Sequence, residues 1–287
     1  MGRTNTKVKT MINTNEKHKT LRPSSIGSFI NCNYQWYNTH IMNVQSIPNA
    51  RATLGSSIHK SAEVIWLDAI NKGKKDLNLT MAVDAAVEEY HELLKLDDPQ
   101  FDDNENKDTI EKEVIQGTTK WVEDIAPNVD IPIAVEKFYE TPVDNPIFTR
   151  VAGSIDYVGA NSIHDIKTSR KKPTLKNYDL QQATYAILRE KNGETIDTIK
   201  IQSVILGKKE IKAEVYDLIQ DSTDHFKTIE DIKKQTKYII NNILQKSKLL
   251  QSDKIDPKII FTGNPNSFLC SNKYCALYDT CPFVKGT

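Results

Sequence analysis

Residues 153–168 read Gly153-Ser154-Ile155-Asp156-Tyr157-Val158-Gly159-Ala160-Asn161-Ser162-Ile163-His164-Asp165-Ile166-Lys167-Thr168. Two apolar runs, Thr149 to Val158 and Ser162 to Thr168, flank a short Gly-Ala-Asn turn, which predicts adjacent strands. Each strand presents one acid, and the second carries Asp165-x-Lys167. Side chains alternate across a strand, so Asp165 and Lys167 point to the same face. Two carboxylates beside a lysine suit hydrolysis at phosphorus. The acids can hold a hard divalent cation such as Mg²⁺ or Mn²⁺, and the lysine can orient or help deprotonate the attacking water. The plain alternative is a solvated surface pair, which describes most Asp-x-Lys strands.

Outward from this stretch the pattern is consistent. Ile133 to Thr141 reads as a preceding strand stopped by Pro142, and a helix follows from about Lys176 to Lys191. Thr198 to Leu206 and Ile211 to Leu218 read as a strand pair turning near Gly207. An amphipathic helix spans roughly 222–250, and the tail from Asp256 is irregular. Upstream the sequence predicts helices at 22–42 (capped by Ser24 or Ser25), 52–70 (ended by Gly73), 78–95 and 107–126. The expected fold class is α/β, a mixed central sheet flanked by helices, with an N-terminal helical lobe over 22–128. The core would occupy 129–255 and a cysteine-rich tail 256–287. Residues 1–21 are basic and rich in Thr and Asn, and read as a disordered arm.

Of 287 residues, 38% are hydrophobic and 26% charged, and the formal net charge is zero. Any hold on nucleic acid must then rest on a local basic surface. No run approaches the roughly 20 apolar residues of a membrane span, and no secretory signal is legible. The reading is a cytoplasmic protein, in a host cytoplasm if phage-encoded. No Walker-type phosphate loop signals an attached ATPase.

The four cysteines are Cys32 and, 238 residues later, Cys270, Cys275 and Cys281. Three clustered thiols plus one distant thiol make one four-thiolate site that joins the chain ends. Without a sign of secretion, reduced metal-binding cysteines are the default. Four thiolates suit Zn²⁺ or an iron–sulfur cluster.

On helix 176–191, Gln181 and Tyr185 are four apart and share a face. The succession Gly153-x-x-Asp156, Asp165-x-Lys167 and Gln181-x3-Tyr185 resembles the PD-(D/E)XK nuclease superfamily in its RecB-like branch. Gly55-x3-His59 upstream and the one-plus-three cysteines are similar to that branch's iron–sulfur members, and the resemblance covers about residues 22–285. Ile155 stands where the family often has Pro, and Asp165 where it often has Glu. The resemblance implies a restriction-endonuclease-like core. It implies His59, Asp156 and Asp165 as metal ligands, with the Ile166 carbonyl as a fourth, and Lys167 as the catalytic lysine. Gln181 and Tyr185 would hold Lys167 or the substrate phosphate. A 4Fe-4S cluster would sit on Cys32, Cys270, Cys275 and Cys281. The implied activity is metal-dependent cleavage of DNA at single strands or ends, working alone or with a helicase or recombination protein.

His59 beside carboxylates favours Mn²⁺ over Mg²⁺. Glu63, one turn on, could support that site. Glu136 reads equally as an added acid or a solvated strand residue. Arg170, Lys171, Lys172 and Lys176 could bind backbone phosphates or line a solvated loop. Trp36, Tyr37 and Trp66 could stack on bases, although core packing is the simpler reading. Two other functions fit: a non-catalytic DNA-binding or recombination accessory module on the same fold, and a zinc-stabilised binding protein.

Overall fold

The computed structural model describes residues 19–45, 48–224, 227–252, 254–267 and 269–284. A six-stranded mixed sheet runs β1 (Lys19–Leu21), β2 (Ala134–Pro142), β3 (Phe148–Val158), β4 (Ser162–Ser169), β5 (Thr198–Leu206) and β6 (Ile211–Asp217). Helices α1 (Pro23–Asn31), α2 (Asn33–His40), α6 (Asp179–Lys191) and α7 (Ile229–Leu249) share one apolar core on one side of it. Helices α3 (Ala50–Lys72), α4 (Leu79–Asp97) and α5 (Lys107–Lys120) build the other core. The helices before residue 128 therefore divide between the two cores, α1 and α2 in one and α3 to α5 in the other. Residues 1–18 of the expected arm lie outside the described residues. Lys19–Leu21, expected to belong to it, pair in parallel with β3 and bury Leu21.

The expected helix 22–42 is two helices. Cys32 breaks it with extended backbone (φ −160°, ψ 105°), and Arg22, not a serine, occupies the N-cap. Ser25 instead donates its hydroxyl to the Arg22 carbonyl at 2.7 Å. Helix α3 ends at Gly73 in the left-handed region (φ 65°) as expected. Helix α7 starts at 229, not 222, because Thr228 and Asp231 cap each other reciprocally.

Strand topology opens a slot in the sheet. Tyr157 pairs with Val135 on one side and His164 on the other, and Val151 pairs with Thr141 on one side and Leu21 on the other. β1 and β4 thus flank the same side of β3 at its two ends. Between them, β3 residues 152–156 have no backbone partner on that side among the described residues. Ile155 lies in the α6-side core but Tyr157 in the α3-side core. Regular alternation would give them one face, so the pleat slips at Asp156. Opposite it, Glu136 has φ 47°, a left-handed conformation unusual inside a strand.

Candidate active site

The slot gathers side chains from both layers. Asp156 fills the gap between the diverging strands, and its Oδ2 accepts the Ile166 N–H at 2.9 Å. From one layer, α3 brings His59, whose Nδ1 lies 3.2 Å from that same Oδ2. Gly55 makes this approach possible, since a Cβ there would lie 3.1 Å from Thr168 Oγ1 at the end of β4. Glycine costs a helix interior about 0.5–1 kcal/mol relative to alanine. Close contact with β4 is the physical reason for it. From the other layer, α6 brings Gln181, whose Nε2 donates to Asp165 Oδ1 at 3.4 Å. A Cβ on Gly153 would lie 2.9 Å from Pro23 Cδ and 3.2 Å from the Tyr185 ring, so this position is held free for both.

Asp165 and Lys167 share a face, as strand alternation requires, and their Oδ2 and Nζ lie 2.6 Å apart. Asp165 is buried and Lys167 half-buried. The charges in the slot control one another. Burial alone would lower the pKa of His59, but Asp156 carries it up to about 9. Burial would raise Asp156, and His59 and Lys167 hold it below the usual carboxylate range. Asp165 is raised by burial, against the pull of Lys167. Lys167 is depressed by burial but raised more by Asp165 and Asp156, so its amine is an ammonium.

Among the described residues, His59, Glu136 and Asp156 form a group whose potential ligand atoms lie within 4.8 Å of one another. One imidazole nitrogen with carboxylate oxygens is a donor set that fits a divalent cation of the Mn²⁺ or Mg²⁺ type. Glu136, weighed equally as a solvated residue, belongs to this group. Its carboxyl is raised by desolvation and by the Asp156 charge. Its place opposite Asp156, between the Val135–Tyr157 and Lys137–Ile155 pairs, was the available signal for it. Asp165, expected as a ligand, lies outside the group and is engaged by Lys167. Ile166 offers its N–H to Asp156, and its side chain is buried. Glu63 pairs with Lys60 at 2.9 Å and lines an open hollow with His59 and Glu136.

The basic loop after β4 divides. Arg170 is not available to a phosphate. It pairs with Glu113 at 2.9 Å and Glu105 at 3.2 Å, donates to the Leu206 carbonyl, and shares both acids with Arg51. Lys171 and Lys176 are exposed, and exposed Lys172 lies 5.1 Å from the Tyr216 ring centroid. Trp36, Tyr37 and Trp66 are buried in the two cores and offer no face to a base.

Cys32, Cys270, Cys275 and Cys281 line one hollow with Tyr34 and Phe283. The tail is fastened there from both sides. Tyr34 N–H donates to the Thr262 carbonyl at 3.1 Å, Asn264 donates to the Asn31 carbonyl at 2.9 Å, and the Tyr34 and Phe283 rings meet edge-on at 5.2 Å. Burial and the neighbouring thiols push the Cys275 and Cys270 thiols up. Four thiols converging on one hollow, which a metal core would bind as thiolates, are a donor set suited to such a core. No described helix is long and apolar enough to cross a membrane.

A family model of the PD-(D/E)XK nuclease superfamily matches residues 20–282. The crystal structure of a candidate exonuclease from Eubacterium rectale superposes with a TM-score of 0.59 at 10% identity, covering 96% of this chain and 94% of that one. That likeness concerns the fold. SSO0001, a second solved structure, aligns at 16% identity over 53% of this chain and 61% of its own, with a TM-score of 0.29, too low to bear on the fold. No curated protein matches the chain.

Proposed function

The chain belongs to the PD-(D/E)XK nuclease superfamily, and from that premise we propose that it cuts DNA at single strands or ends, as an exonuclease. The observation that carries the reading is the convergence of His59, Asp156 and Glu136 beside the Asp165–Lys167 pair in one slot. A divalent cation bound there would polarise the phosphate and lower the pKa of an attacking water. His59, Asp156 and Glu136 would hold it, with Asp165 joining once its carboxylate turns from Lys167 and the Ile166 carbonyl completing the set. Lys167, charged in the resting site, would orient the water and stabilise charge on the phosphorane-like transition state, not take the proton itself. Gln181 fixes Asp165, and Tyr185 backs Gln181. Lys171, Lys172 and Lys176 would meet the substrate backbone.

The four cysteines would carry a 4Fe-4S cluster with a structural role, Zn²⁺ being the rival occupant. The one-plus-three spacing and the shared hollow support the cluster. Anaerobically purified protein should be brown, and a colourless sample holding one zinc per chain would refute the cluster. DNA repair, recombination or CRISPR adaptation are the settings this activity suits, with or without a separate helicase. The test is digestion of end-labelled single- and double-stranded DNA with Mn²⁺ or Mg²⁺, with Asp165→Ala and Lys167→Ala as controls. Both variants should lose cleavage and keep the fold. Undiminished cutting by either would sink the assignment.

A further inference from the structure

Tyr178 closes the 3-10 turn Leu175–Tyr178 that leads into α6. Tyr178, Gln181 and Tyr185 are spaced by three and four residues, so they form one stripe along the helix. Each member touches the catalytic strands differently. Tyr185 lies against Gly153, and Gln181 donates to Asp165. The Tyr178 ring centroid lies 5.8 Å from Lys167 Nζ, within the range of a cation–π contact. One side of the half-buried ring packs on the α6-side core. No hydrogen bond to its hydroxyl is seen among the described residues. What Tyr178 offers the site is therefore its ring.

Among the described residues Lys167 has one ion-pair partner in contact, Asp165 Oδ2, with the Asp156 charge acting from farther off. When Asp165 turns to a cation, that partner is weakened, and a half-buried ammonium left without a carboxylate in contact is free to swing away from the reacting phosphate. We propose that Tyr178 is a positioning residue for Lys167, its ring face keeping the ammonium at the reaction centre while Asp165 serves the metal. The proposal rests on the nuclease reading above for its catalytic consequence, though not for the contact.

The test uses the full-length protein with ¹³C-labelled lysine. The Lys167 side-chain signal is identified by its absence in Lys167→Arg. Its ε-protons should be shifted upfield by the ring current in wild type and in Tyr178→Phe, and should return to the common lysine position in Tyr178→Leu. With Mn²⁺, Tyr178→Leu should lose about tenfold in kcat with KM within twofold, whereas Tyr178→Phe stays within twofold of wild type in both. An unshifted Lys167 signal in wild type, full kcat in Tyr178→Leu, or equal losses in Phe and Leu variants would overturn the proposal. The spectrum needs no substrate. A wild-type protein that cuts nothing would overturn the nuclease reading itself, and the Lys167 signal would still decide the contact.

Discussion

His164, the residue before Asp165, makes the fold sensitive to acid. Its ring is buried and stacks on Tyr157 with centroids 4.0 Å apart and planes at 16°. Its Nδ1 lies 3.0 Å from Gln202 Nε2, while Gln202 Oε1 accepts the Trp121 indole N–H at 2.8 Å. Since Gln202 donates to it, Nδ1 is an acceptor and the imidazole is neutral. Burial, helped by Lys200, holds its pKa down at about 3. An unfolded histidine titrates near 6.5. Between these values the unfolded chain binds more protons, so stability is whole above pH 6.5 and falls as pH drops towards 3. From pH 7 to pH 5 the loss is about 2 kcal/mol, at about 1.4 kcal/mol per unit below 6.5. With a urea slope of about 3 kcal/mol per molar, the midpoint should fall by roughly 0.7 M. Other groups titrate in this window, so the comparison is with His164→Asn, whose amide oxygen can accept from Gln202 and cannot titrate. Urea unfolding followed by tryptophan fluorescence, without divalent cations, should show the variant less stable at pH 7. The gap should narrow by about 2 kcal/mol at pH 5. Parallel curves for the two proteins would refute the argument.

The His59–Asp156 ion pair must give up a proton before the imidazole can bind a cation. With a pKa of about 9, His59 should make Mn²⁺ affinity rise about tenfold per unit between pH 6 and 8 and level off above 9, as titration calorimetry would show. In the metal-free protein the sign is opposite: the pair's stabilisation is complete below about 6.5 and is lost as pH rises through 9. Gly55→Val should weaken Mn²⁺ binding at least about tenfold although residue 55 binds nothing, because a branched side chain drives α3 from Thr168 and carries His59 with it. Lys171→Ala, Lys172→Ala and Lys176→Ala should each flatten the salt dependence of single-strand binding by about 0.7 in slope. Arg170→Ala should leave that slope alone and lower the melting temperature, since its partners are Glu105 and Glu113.

The sequence carried the strands around Asp156 and Asp165 because alternation and turn residues are local signals. It carried His59 only through spacing to the motifs, since a lone histidine on a helix has no local meaning. Features set by tertiary contact were hidden. β1 has three residues and two polar side chains, and its strand state comes from pairing with β3. The break at Cys32 has neither glycine nor proline to announce it. Nothing near Arg170 in sequence reveals that Glu105 and Glu113, more than 50 residues upstream, already claim its charge. The left-handed backbone at Glu136 is equally silent, for it belongs to a slip in the pleat shared with the opposite strand.

These hidden features connect the cysteine hollow to the slot. Helix α1 has nine residues and no side-chain hydrogen bond at its N-cap, so alone it would be marginal. At about 1.5 Å per residue it spans roughly 13 Å. One end leads into Cys32, where the tail is bonded to Asn31 through Asn264. The other begins at Pro23, wedged with the Tyr185 ring over the place a Gly153 side chain would take. Gly153 lies three residues before Asp156 on the strand segment that lacks a partner on one side. That segment is held by its backbone only along β2, so the bodies pressed against it help set its path on the open side. α1 is one of those bodies, and its far end is held by the chain closure at the cysteines. The closure thus bears on where Asp156 sits while its thiols remain apart from the slot.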